Sequence, residues 1–201
     1  MDRTIEACHH GDLRNALIRE GLRTLNREGP AQFSLRRLSR DLGVSHAAAY
    51  RHFRNREELL EAIVREAGTR FATALEESVH ADATGEEALM QLGIGYVRFF
   101  LRNREVLPLF SILPGGDNLL ASFVHPVDPE SPHAPVGFTR FREIALQMHR
   151  DARFQHLTER ELLLGYWAKV HGLAVILVTN PGFLPEEELE LSLERVVRTG
   201  F

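Results

Sequence analysis

Six arginines, Arg36, Arg37, Arg40, Arg51, Arg54 and Arg56, crowd the stretch SLRRLSRDLGVSHAAAYRHFRNREELL at residues 34–60. Guanidinium groups at that density suit phosphate oxygens, by charge and by paired N–H donors. Residues 1–56 carry 11 Arg and no Lys against 6 Asp and Glu, whereas the remainder carries 13 basic and 22 acidic side chains. The net charge of −4 over 201 residues hides this reversal. An arginine-rich head on an acidic body is the asymmetry expected when one end alone meets a polyanion. Arginine supplies 23 of the 24 basic residues throughout, which explains the choice of Arg over Lys but not the change of sign. Bond-making chemistry is not spelled out. There is no Gly-x-Ser-x-Gly, no phosphate-cradling glycine loop after a strand and no His-Glu-x-x-His, so no enzyme is expected. Of the histidines, His9, His10, His125, His133, His149, His156 and His171 show no metal-ligand spacing on one helix, and neither a metal site nor a cofactor is expected.

Two short helices and a tight turn must carry these arginines. Ser34 is a ready N-cap for a helix marked by Leu35, Leu38 and Leu42. Gly43 supplies the turn, and Ser45 caps a second helix, Ser45–His52, too short to be stable alone. This is the pattern of a helix-turn-helix at about 33–52, whose second helix enters the major groove while surrounding groups hold phosphates. His46, Ala47 and Ala48 lie where base edges would be met. Alanine can pack on a thymine methyl but cannot hydrogen-bond, so base readout is sparse. Tyr50 offers a hydroxyl, Arg51, His52 and Arg54 add charge, and Arg56 lies beside the anion-attracting N-terminus of the next helix. The candidate contacts to double-stranded DNA are therefore Ser34, Arg36, Ser45, His46, Ala47, Ala48, Tyr50, Arg51, His52 and Arg56. Leu38, Leu42, Val44, Ala49 and Phe53 are expected in the core of the head. Tyr50 also fits a half-buried structural tyrosine with a wet tip.

No strand-like alternation persists, and the chain reads as all-α. Asp12 caps a first helix with the stripe Leu13, Leu17, Gly21 and Leu25, stopped by Gly29-Pro30. Asn55 and Glu58 form a capping box for a fourth helix that runs on through Leu59, Leu60, Ile63, Ala67, Phe71 and Ala74 and joins head to body. Thr84 with Glu87, and Thr158 with Glu161, repeat that spacing before two further helices. Residues 124–137, with four prolines, are expected to be a loop. Phe138, Phe141, Ile144, Ala145 and Met148 mark a helix, and Pro185 suits the first position of the last one. The domains are then a three-helix DNA-binding domain at 8–69 and a helical ligand-binding and dimerisation domain at 84–201. The apolar run Leu162–Val178 is slightly short for a membrane span and is interrupted by Lys169 and His171. With no basic-then-apolar leader and one cysteine, Cys8, a cytoplasmic protein without membrane contact is expected. The body is rich in large apolar side chains. Tyr96, Phe99, Phe100, Phe110, Phe123, Phe141, Trp167 and His171 are the candidate pocket residues, for a small apolar or aromatic molecule.

In order along the head, Leu35-x-x-Leu38, Gly43-Val44-Ser45, Tyr50-x-His52-Phe53 and Asn55-Arg56-Glu57-Glu58-Leu59-Leu60 resemble the DNA-binding domain of the TetR family of bacterial repressors. Family members generally carry Lys where Arg56 stands, and many carry a hydroxyl where Ala48 stands. A shorter stretch, Trp167-Ala168-Lys169-Val170-His171-Gly172, is similar to the Trp…His-Gly signature of one subgroup. The resemblance implies a homodimer in which each chain reads half of a palindromic operator, with a ligand cavity in the body that releases DNA when filled. The interface it implies would use Leu163, Val170, Leu177, Leu189, Leu193, Val196 and Val197. The competing readings are a ligand-independent DNA-binding protein and a metal-responsive repressor.

Overall fold

A glycine-proline pair, a capping serine and a left-handed glycine divide the N-terminal third of the chain into its helices. The computed structural model describes residues 10–28, 32–107 and 138–199, and every regular element among them is helical. Helix α1 (His10–Glu28) stops just before Gly29-Pro30, where proline cannot continue a helix. It begins two residues before Asp12, which was expected to cap it. Helix α2 (Leu35–Asp41) starts at Ser34, whose Oγ accepts the Arg37 N–H at 3.3 Å. The chain leaves α2 through Gly43 at φ +66°, a conformation glycine adopts without steric cost. Helix α3 (His46–Tyr50) is capped by Ser45, whose Oγ accepts the Ala48 N–H at 3.2 Å. Residues 51 and 52, expected within this helix, form a turn instead. Helix α4 (Arg56–Ser78) opens with the Asn55 side chain accepting the Glu58 N–H at 2.8 Å. The Glu58 carboxylate reaches back to the Arg54 N–H at 2.7 Å, one residue earlier than a regular capping box requires.

Two compact units result, residues 1–66 and 67–201, with the division falling inside α4. In the first, Leu13, Leu17, Leu22, Leu25, Phe33, Leu35, Leu38, Ala49, Phe53, Leu59 and Ile63 are buried. Leu42 and Val44, expected in this core, are half-buried. In the second, α5 (Gly85–Arg102) lies among α6 (Phe138–His149), α7 (Glu159–Thr179) and α8 (Glu186–Arg198), with a short 3-10 turn at Arg104–Val106. Its central place accounts for burial of Leu89, Leu92, Tyr96 and Phe99 together with Met90, Ile94, Val97 and Phe100. Phe71, in the part of α4 that belongs to this unit, packs edge-on against Tyr96 at 5.3 Å and Phe99 at 5.1 Å between ring centres.

The two expected capping boxes of the body behave differently. Thr158 and Glu161 form theirs in full, the hydroxyl accepting the Glu161 N–H at 3.2 Å and the carboxylate accepting the Thr158 N–H at 2.7 Å. Those bonds hold the Glu161 carboxyl below its usual range. Thr84 makes no cap bond, and Glu87 accepts from Gln91 Nε2 at 2.9 Å instead. The chain enters α5 through Gly85 at φ +56°, which is not the regular first turn that a reciprocal box requires. Pro185 is the N-cap of α8 rather than its first residue. Helix α7 is long and apolar enough by composition to cross a membrane. Here one of its faces, Leu162, Tyr166, Val170, Ala174 and Leu177, is buried in the body. Lys169, in the same run, donates to the carbonyls of Val197, at 2.7 Å, and Thr199, which the end of α8 leaves without intrahelical partners.

Glycine lets α5 approach its neighbours. A Cβ on Gly93 would lie 2.7 Å from the Tyr166 hydroxyl and 2.9 Å from Val197, and one on Gly95 would fall inside the Ser78 side chain. Gly68 of α4 faces open space. In urea unfolding, Gly95→Val is expected to cost about 1–3 kcal/mol by overpacking. Gly68→Ala is expected to add about 0.5–1 kcal/mol through helix propensity. Equal midpoints for Gly95→Val and wild type would refute the close approach of α5 to Ser78.

Candidate nucleic-acid interface

Helix α3 is held by one side chain and displayed by the rest. Ala49 is fully buried, and Phe53, whose N–H bonds the Ala49 carbonyl at 3.1 Å, is buried next to it. His46, Ala47 and Arg51 are exposed, Ala48 and His52 are half-buried, and Tyr50 is 50% exposed. The outward face therefore starts with an imidazole and small side chains and ends with a phenol and a guanidinium. Ser34 and Ser45 spend an oxygen lone pair each on capping, while a hydroxyl retains a donor and a second lone pair.

The arginines divide by task. Arg36 is exposed. Arg37 clamps the end of α1 to α2, through Glu28 at 2.6 Å and Asp41 at 3.3 Å. Those carboxylates, the Glu28 hydrogen bond first, raise the Arg37 pKa further above its ordinary value. Arg56 donates from Nε to the Phe33 carbonyl at 3.1 Å, and its guanidinium lies 5.6 Å from the centre of the Phe33 ring. One guanidinium makes both contacts, its charge over the ring and its Nε–H on the carbonyl. Arg56 thus ties the start of α4 to the residue before the α2 cap. Arg14, which drew no attention in the sequence, lies over Phe53 at 5.2 Å.

A capped five-residue helix seated on two others and turned outward is the reading element of a helix-turn-helix, and the first unit is a DNA-binding domain of that class. Residues 17–63 match the family described as bacterial regulatory proteins, tetR family, so the head is a TetR-family domain. The whole chain has the fold of that family's regulators. It is similar to a TetR-family transcriptional regulator of Haemophilus influenzae RD, with 21% identity over 94% of this chain and 96% of that one and a TM-score of 0.67. A protein of unknown function from Rhodococcus sp. RHA1 aligns over 100% of this chain and 99% of its own, at 23% identity and a TM-score of 0.64. The fatty acid degradation regulator FadR of Bacillus halodurans aligns over 94% and 95%, at 13% identity and a TM-score of 0.66. No curated protein matches the chain in sequence. The chain thus carries the DNA-binding domain of this family on a fold that TetR-family transcriptional regulators share.

In the second unit the three polar candidates come together. The Tyr96 hydroxyl lies 2.9 Å from His171 Nδ1, and the Trp167 ring stacks on His171 at 4.8 Å and 16°. Beside them is a cavity of about 20 Å³ lined by Leu75, Leu92, Gly93, Tyr96, Phe141, Tyr166, Trp167 and Val170. Phe141 and Trp167 are among its lining. Phe99 and Phe100 pack on Phe71 instead of lining it, and Phe110 and Phe123 lie outside the described residues. Tyr166 was missed, although its spacing from Leu162 and Val170 marks one helical stripe. The expected interface also needs correction. Leu163, Val170, Leu177, Leu193 and Val197 are buried in the chain's own core, where they cannot meet a partner. Leu189 is half-buried and Val196 is exposed, as are Leu164, Ile176 and Leu191.

Tyr50→Ala is expected to weaken binding to every duplex sequence roughly three- to tenfold, as loss of one phosphate hydrogen bond does, with no change in melting temperature. Arg56→Ala should also lower the stability of the head, by about 1–3 kcal/mol, through the orphaned Phe33 carbonyl. Anisotropy titrations on specific and random duplexes, paired with thermal melts, separate the two effects. Undiminished affinity in Tyr50→Ala would remove that residue from the interface.

Proposed function

We propose that the protein is a cytoplasmic homodimeric repressor that binds a palindromic operator and leaves it when a small apolar or aromatic effector enters the body. The observation that carries the dimer is the apolar surface left over after the core is filled. Leu164 and Ile176 on α7 and Leu191 and Val196 on α8 are 41–54% exposed. Exposed apolar groups on the two terminal helices are material for an isologous two-fold interface, in which α7 and α8 of each chain would build a four-helix bundle. Two copies of α3 could then meet successive major grooves about 34–36 Å apart. The effector reading is supported by the cavity and by the aromatic side chains around it. Occupation shifts the equilibrium only by its different affinities for the two states, typically about 1–3 kcal/mol. Helix α4, which has one end in each unit, is the element to carry that difference to the head.

Selection of bound duplexes from a random pool is the direct test, with an inverted repeat as the expected product. An unrepeated site would overturn the dimeric reading. Leu164→Asp, at a position 54% exposed in the chain, is expected to give folded monomers in sedimentation and to lose operator binding. A persistent dimer would move the interface elsewhere.

A further inference from the structure

The core-facing stripe of α1 ends in a charge. Leu17, Ile18, Gly21 and Leu25 recur three and four residues apart, and all are buried. Arg14 continues that stripe towards the N-terminus, yet it is exposed. Its place on the inward face brings its guanidinium over the Phe53 ring, at 5.2 Å. Phe53 is 1% exposed and its N–H bonds the Ala49 carbonyl, so that ring is a fixed part of the end of α3. The charge of Arg14 is thereby held at the seam where α1 meets α3, beside the segment that carries Tyr50 and Arg51.

An aromatic face attracts a guanidinium but gives its N–H groups no oxygen. Among the described residues Arg14 makes no hydrogen bond or ion pair. Its neighbours three and four residues away along α1 are His10, Gly11, Leu17 and Ile18, none of them acidic. Carboxylates of the head pair with other arginines: Glu20 with Arg23, Glu28 and Asp41 with Arg37, Glu57 with Arg56, and Glu58 with Arg54. What remains is a positive fork with its N–H donors turned to water at the edge of the reading element. Phosphate oxygens match that fork in charge and in spacing. The ring already restrains the side chain, so less rotamer freedom is lost when an oxygen is bound. We propose that Arg14 is a phosphate contact. Held on Phe53, it grips the duplex backbone at the edge of the groove that α3 enters, and it sets the register of that helix without reading bases. The inference rests on the DNA-binding head and not on dimerisation or release by an effector.

Arg23 provides the control. It stands half a turn round from Arg14, on the opposite face of α1, with its side chain 75% exposed. Arg14→Gln and Arg23→Gln remove the same charge from the same helix, so only a contact distinguishes them. The full-length protein and each variant are titrated onto a selected duplex and onto one of arbitrary sequence, across about 50–200 mM salt. Arg14→Gln should weaken binding to both duplexes about tenfold at the low-salt end. It should also flatten the slope of log affinity against log salt by about 0.9, the share of one phosphate. Arg14→Lys should restore the slope, and Arg23→Gln should keep the slope and hold affinity within about twofold. Thermal melts report any loss of cover over Phe53, which lowers stability but does not move the slope. An unchanged slope in Arg14→Gln, or an equal loss in Arg23→Gln, overturns the proposal. A loss confined to the selected duplex overturns it as well, because it makes Arg14 a base reader. A wild-type slope near zero removes the DNA-binding reading and the proposal together.

Discussion

Helix α3 is five residues long, far below the length at which helix growth outweighs nucleation in water, so its conformation is imposed from outside. The imposing contacts are few and can be named. The Ser45 cap is worth about 1 kcal/mol, and the buried methyl of Ala49 fixes which face turns inward. Upstream, Gly43 makes the reversal, and the Val44 N–H bonds the Ser39 carbonyl at 2.9 Å while the buried Ser39 hydroxyl bonds Leu35 at 2.7 Å. Arg37 and Arg56 then hold the flanking helices in place. An exposed arginine such as Arg36 and a scaffold arginine such as Arg37 are the same residue type, told apart only by their neighbours.

The body solves the complementary problem, which is how an apolar interior can contain polar atoms. Each is met inside the fold: the Tyr166 hydroxyl by the Leu89 carbonyl, the Lys169 ammonium by the end of α8, and Tyr96 by His171. An unmet buried donor would cost about 1–3 kcal/mol, so these bonds fix the registers of α5, α7 and α8 more sharply than packing of Leu and Val alone. Tyr96 and Tyr166, whose hydroxyls make two of these bonds, also line the cavity.

Much of this was legible in the sequence because it is local. Serine and asparagine caps, the Gly43 turn and the Thr158 box depend on neighbours three or four residues away, and they appear where the sequence puts them. Thr84 did not cap because Gly85 alters the backbone at that step, a choice glycine permits without announcing. Arg36 and Arg37 are adjacent and chemically identical, and what separates them is Glu28, nine residues upstream and brought near by the fold. The interface residues failed for a similar reason. Helix α7 is apolar on two faces, and periodicity marks both Leu163 and Leu164 as face residues. Which of them points inward is decided by α5 and α8, whose positions no local pattern records. Tyr96, Trp167 and His171 could be named as polar groups in an apolar setting, but their meeting is a property of α5 against α7.

That meeting places two tight constraints on one stretch of α5. Gly93 admits the Tyr166 hydroxyl and Val197, Gly95 admits Ser78 of α4, and Tyr96 follows with its ring on Phe71 and its hydroxyl on His171. Interiors packed to this density move between discrete arrangements rather than yielding gradually. A shift of the Tyr96 ring would disturb Phe71, and a shift of the backbone beside it would press Gly95 on Ser78. Both of those neighbours belong to α4. The cavity and the C-terminal half of α4 are thus in contact twice, through less than two turns of α5 and directly through Leu75.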